Sequence, residues 1–95
     1  MVEFDDYVTD ALMRDLVGHD RRPVSFLVYV WLAAEEQRRG ERVQVSYAEM
    51  AESIGVSKSS AQAGVAWLVE RKLVAMKKAT VTATPVYHVK MPWRR

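Results

Sequence analysis

The stretch Ser46–Leu73, SYAEMAESIGVSKSSAQAGVAWLVERKL, decides how this chain is read, because it holds two helix starts and a glycine stop at close spacing. Ser46 followed by Glu49 is a capping box, in which the serine accepts from a free N–H of the first turn and the glutamate reaches back to the cap. A helix therefore begins at Tyr47. Ala48, Met50, Ala51 and Ile54 share a side at helical spacing, and Gly55 ends the helix after about two turns, since glycine tolerates the left-handed exit. Ser57 offers a second N-cap, and Ala61, Val65, Leu68 and Leu73 supply the buried stripe and exit of a longer second helix. Two capped helices joined by Gly-Val-Ser must cross steeply, which is the geometry of a helix-turn-helix.

Outward from this motif, composition bounds the rest. The chain has 95 residues of which 49% are hydrophobic, enough for one domain with one core. It has no cysteine and two isolated histidines, so neither a disulfide framework nor a metal site is expected. The longest apolar run, Phe26–Ala34, is far short of the roughly twenty residues of a membrane span, and the acidic N-terminus lacks the pattern of a signal peptide. A cytoplasmic protein without cofactor or membrane contact is the expectation.

The net charge of +2 conceals an asymmetry. Residues 1–20 hold six acidic side chains against Arg14, a net −5, while the other 75 hold thirteen basic and six acidic, a net +7. The basic charge travels with the motif, as phosphate binding requires, although such an excess is also common on solvated surfaces.

In chain order, Met1–Tyr7 reads as an extended, acidic, solvating lead-in. Thr9 is the candidate cap of a short helix over Asp10–Val17, closed by Gly18. His19–Arg21 is a polar connection. Pro23 suits a first helical turn, and the next helix spans Val24–Arg39, with Gly40 as its stop and Arg38 and Arg39 against the negative end of its dipole. Its run FLVYVWLAA is apolar around the whole circumference and so must be covered on every side. One face packs on the helix-turn-helix; the other is covered either by the N-terminal helix or by a second copy of the chain, two-fold dimers being the commonest oligomers. Val43 and Val45 mark a short strand. Val74–Lys78 and Val86–Met91, the latter with Tyr87, Val89 and Met91 on one face, form a β-hairpin that completes a three-stranded sheet. Trp93 is expected to dock on the core, and His19 and His88 to be surface or turn residues.

This order of helix, strand, helix, turn, helix, strand, loop, strand resembles the winged helix-turn-helix family of DNA-binding regulators, in particular the small bacterial, phage and plasmid type. The likeness covers roughly Val24–Met91 and rests on Ala51, Gly55, Val56, Ser57, Ala61, Val65, Leu68, Leu73 and Val74. It implies an α+β, mostly α fold: a single winged domain over 1–95, with an acidic lead-in and extra helix at 1–20 and a winged core at 24–91. It also implies that Lys58–Lys72 is a recognition helix lying in the major groove of double-stranded DNA.

Placing residues about 100° apart turns Ser59, Ala63, Ala66 and Glu70 outward, with Ser60, Gln62 and Trp67 on the flanks. Gln62 can pair with an adenine edge, Ser59 and Ser60 with a base or phosphate, Ala63 with a thymine methyl, and Lys58 with phosphate. Tyr47, at the start of the first motif helix, joins these candidates. By the same resemblance the hairpin is the wing, with Lys77 and Lys78 on the DNA backbone and Arg42, Lys90, Arg94 and Arg95 as further phosphate partners. Lys77 and Lys78 also suit plain edge-strand lysines that discourage sheet pairing.

The recognition helix is poor in cations, with only Lys58 before Arg71. Trp67 either joins Val69 in a contact surface or folds over the wing or the first motif helix. Two functions follow: a sequence-specific transcriptional regulator, homodimeric through the Val24–Arg39 and N-terminal helices, or a winged module for protein–protein contact or for phage or plasmid maintenance. No phosphate-cradling glycine motif, nucleophile elbow or metal spacing supports an enzyme, and no ligand pocket is evident.

Overall fold

The computed structural model describes residues 1–94; Arg95, and with it that residue's expected phosphate contact, lies outside them. Ser46 caps α2 (Tyr47–Ile54) by accepting from the Glu49 N–H at 3.1 Å. Only the serine half of the capping box forms, because the Glu49 carboxylate does not return to the cap. Gly55, at φ 91°, ends the helix. Ala48 is exposed, so the buried side of α2 is Met50 and Ala51, with Ile54 half-covered. Ser57 caps α3 (Lys58–Glu70) by accepting from the Ser60 N–H at 3.1 Å.

The end of α3, at Glu70, comes two residues earlier than the expected Lys72. Leu73 N–H bonds the Leu68 carbonyl at 2.9 Å and Lys72 N–H bonds Val69 at 3.0 Å, a Schellman closure in which Lys72 takes the left-handed position at φ 61°. The stripe Ala61, Gly64, Val65 and Leu68 is buried.

Before the motif, α1 (Pro23–Arg39) starts on its proline and stops at Gly40 in the left-handed conformation. Its apolar circumference is covered mostly from within the chain: Val28, Tyr29, Leu32, Ala33 and Ala34 are buried, Phe26, Val30 and Trp31 half-buried, and Leu27 is exposed. Helix α3, the N-terminal helix and the sheet all pack on it.

The N-terminal helix differs from its sequence reading. It begins just after Asp5, whose carboxylate accepts from the Tyr7 N–H at 3.0 Å, and it continues as π-helical stretches Val8–Leu12 and Arg14–His19. Thr9 lies inside it, its hydroxyl donating to the Asp6 carbonyl, and Gly18 does not end it. The i→i+5 bonding widens the turn beyond that of an α-helix, and Val8, Leu12 and Leu16, four residues apart, form its buried line. The chain reverses two residues past the helix, where Arg21 takes φ 56°.

Strands β1 (Val43–Gln44), β2 (Val74–Lys77) and β3 (Val86–Val89) form an antiparallel sheet in the order β1-β3-β2, each strand slightly shorter than expected. Val43 faces Tyr87, and Val74 through Lys77 pair with Val89 through Val86. Val43, Val74, Tyr87 and Val89 point inward to the helices. The α+β, mostly helical architecture, with an N-terminal helix and a hairpin wing, is thus that of a winged helix-turn-helix in shape. Trp93 docks as expected, stacking on Tyr7 with ring centroids 4.5 Å apart and lying 6.4 Å from Tyr29. No helix among the described residues is long and apolar enough to cross a membrane.

Candidate nucleic-acid interface

The N-terminal half of α3 presents the expected face. Lys58, Ser59, Gln62 and Ala63 are exposed and Ser60 is half-buried. The three serines are linked: Ser57 Oγ donates to Ser60 Oγ at 2.8 Å and lies 3.2 Å from Ser59 Oγ. The cap thereby orients both hydroxyls at the start of the helix, and each keeps bonding capacity for a partner.

Two side chains outside the expected site, Arg21 from the polar connection and the unassigned Arg22, join this face. Arg21 and Arg22 line, with Pro23, Val24, Ser25, Ser60, Ala63 and Gly64, an open cleft of about 200 Å³ between the start of α1 and the exposed side of α3. Both arginines stand at the positive end of α1, where a cation opposes the helix dipole and no side chain caps the free N–H groups. That misplacement was the available sequence signal: an Arg-Arg-Pro helix start attracts anions.

Gly64 makes the cleft possible. A Cβ there would meet Val28 Cγ2 at 3.3 Å and Val24 Cγ1 at 3.4 Å, so glycine lets α1 and α3 approach. Ser25 seals the contact, its buried hydroxyl donating to the Gly64 carbonyl at 3.2 Å.

The C-terminal half of α3 is fixed rather than offered. Trp67 folds over neither the wing nor α2. Its Nε1–H donates to Asp20 Oδ2 at 3.0 Å, and the Arg22 guanidinium lies 4.6 Å above its ring. Asp20, its side chain only 4% exposed, also pairs with Arg71 and with His19 at 2.9 Å. Burial pushes the Asp20 carboxyl up, but the hydrogen bonds of His19 and Trp67 and the charge of Arg71 outweigh it and hold the carboxyl below its ordinary value. The acidic N-terminus is therefore not only solvating: Asp20 anchors α3, and Asp5 pairs with Arg94 at 2.9 Å. Arg94 is engaged there instead of standing free for phosphate.

The remaining candidates are placed elsewhere. Tyr47 is half-buried and its hydroxyl donates to Met76 Sδ at 3.6 Å, tying the start of α2 to β2. Lys78 is exposed at the start of the wing loop, whose Val81 projects into solvent. Lys77 stands on the outer face of the sheet with Arg42, His88 and Lys90.

Compared with protein-family models, curated proteins and solved structures, the chain finds no match in any of the three. Its function is accordingly argued from its own geometry.

Proposed function

We propose that the chain is a sequence-specific DNA-binding domain of the transcriptional-regulator type, with the N-terminal half of α3 in a major groove. The observation that carries this reading is the cleft in which Arg21 and Arg22 stand beside Ser60 and Ala63. α3 itself is nearly neutral there, and the two arginines bring to its flank the charge that phosphate contact needs. Gln62 and Ala63 are the base-reading side chains, Ser59, Ser60 and Lys58 position the backbone, and Lys78 with the wing loop reaches an adjacent groove. The fixed Trp67 end serves as the support against which the free end is aimed.

Selection of bound sequences from random duplex DNA tests this reading. Enrichment of one motif, with base preference relaxed by Gln62→Ala, is the expected outcome. Failure to enrich any motif, together with affinity indifferent to salt, removes it.

A homodimer belongs to the same proposal. Leu27, Val30 and Trp31, at i, i+3 and i+4 on α1, leave a partly open apolar strip, and Met13 and Val17 are exposed one turn apart on the N-terminal helix. Sedimentation should show a dimer that Leu27→Lys dissociates, and the enriched motif should then be a palindrome. The same strip favours the second reading, a protein–protein module; binding to a partner protein that survives high salt and is lost with Leu27→Lys would support it.

A further inference from the structure

The outer face of the sheet, turned away from α1 and α3, holds an open concavity of about 370 Å³ lined by Arg42, Ala75, Lys77, Val86, His88 and Lys90. The strand register explains it. Gln44, Val86 and Lys77 make one cross-strand row and His88 and Ala75 the next, while Lys90 leaves the same face two residues past His88. Ala75 and Val86 are short and form a low floor, and the longer side chains stand around it.

The charges on this face are unspent. Among the described residues Arg38 and Arg39 pair with Glu35, Arg71 with Asp20 and Arg94 with Asp5, whereas Arg42, Lys77 and Lys90 pair with no carboxylate. Glu36 is occupied, one oxygen 2.7 Å from His88 Nδ1 and the other accepting from the Val89 N–H at 2.8 Å. Glu41 lies off to one side, in a neighbouring groove shared with Arg39, Arg42, Gln44 and Val86.

Three unpaired cations around a small apolar floor attract an anion. The lining of the concavity has no Phe, Tyr or Trp on which unpaired bases would stack, and Gln44 of the same row opens on the neighbouring groove of Arg39 and Glu41. What fits is the phosphodiester backbone of a duplex, held without regard to sequence. We propose that this face binds a second duplex segment, so that one chain bridges two stretches of DNA. The proposal rests on the reading of α3 as the primary DNA contact.

The test uses the full chain, two short duplexes of the selected sequence carrying different fluorophores, and the variant Arg42→Gln/Lys90→Gln, whose positions are exposed and stand on the outer sheet face instead of joining the α3 contact as the further phosphate partners first expected. Wild-type protein should give energy transfer between the duplexes that rises and then falls with protein concentration. The variant should lower that transfer about tenfold or more while affinity for a single duplex changes less than about threefold, since it removes phosphate contacts on one face only.

Equal loss of single-duplex affinity overturns the inference, because the face would then belong to the first interface. Bridging retained by the variant, or a wild type that binds one duplex and never bridges, overturns it while leaving the reading of α3 intact. A wild type that binds no duplex at all overturns both. Two controls identify other occupants, and either result refutes the proposal. In the first, inorganic phosphate alone shifts the Val86 and His88 amide resonances as strongly as duplex does. In the second, salt-sensitive self-association without DNA disappears in the variant, which would place the acidic N-terminus of a second copy on this face.

Discussion

The exposed face of α3 and the outer face of the sheet divide between them what a nucleic-acid contact needs. The helix face has groups that distinguish bases, Gln62 and Ala63 among them, and little charge of its own. The sheet face has three cations that pair with no carboxylate, set on a strand surface rather than on a helix of the width a major groove admits. Beyond Lys58, the helix face acquires charge because the chain reversal at Arg21 brings two arginines to its flank. On the proposed reading, specificity and affinity come from different elements, whose relative placement depends on the packing of α1.

That dependence is open to direct attack, and the largest effect is expected at Gly64. Gly64→Leu drives a side chain into Val24 and Val28, and such overpacking costs about 1–3 kcal/mol or more. Thermal unfolding should show the loss, and the arginine cleft should be displaced with it. Gly64→Ala should be close to neutral, because the tight 3.3 Å contact offsets the gain in helix propensity of about 1 kcal/mol.

Asp20→Asn comes next. It removes the charge that holds Arg71 and Trp67, and loss of such charge-assisted bonds costs about 1.5–3 kcal/mol. The pH dependence has a defined sign. Since the folded carboxyl lies below its ordinary value, its contribution is complete above the unfolded pKa and is lost as pH falls through the folded one. Wild type and variant should therefore differ most near neutrality and converge in acid, as chemical denaturation across pH would show.

A smaller effect separates the two faces. Arg21→Ala should weaken binding to all sequences alike and reduce the slope of log affinity against log salt by about one, as expected for one lost phosphate contact. Gln62→Ala should leave that slope unchanged and relax base preference. Equal slope changes for both would erase the division between charge and readout.

The smallest effect concerns the end of α3. Lys72→Gly should stabilise the fold by a few tenths to about 1 kcal/mol, because it relieves a left-handed residue at the Schellman position while touching neither face. A shift in melting temperature with unchanged DNA affinity would confirm that the closure is structural.

Much of the scaffold was legible in residue order, because its signals are local. Ser46, Ser57, Gly40 and Gly55 act on backbone groups within a few residues, and each ends or begins a helix as read. Where several residues competed for one local role, the reading failed. Thr9 reads as the cap, but Asp5, within the expected lead-in, takes that role by starting the helix earlier; Gly18, conformationally able to stop a helix, was carried through it by the buried line of Val8, Leu12 and Leu16. Of the candidate interface, helical angles gave the outward placement of Ser59 and Ala63 with Ser60 and Gln62 on the flanks, while their assignment to DNA came from the family resemblance; Lys77 was assigned with the wing and stands on the sheet face, and Tyr47 is spent on β2.

The sequence by itself determined the two capped helices, the three strands, the outward residues of α3 and the charge imbalance between the first twenty residues and the rest, since each depends on periodicity or on neighbours in the chain. The tertiary structure alone decided that Trp67 and Arg71 are held by Asp20, that Gly64 admits α1, that Arg21 and Arg22 flank Ser60 and Ala63, and that Arg42, Lys77 and Lys90 share one face. These relations join residues 13 to 51 positions apart. No local propensity specifies such pairs; they arise when apolar faces are buried together and the polar groups at their margins must find one another.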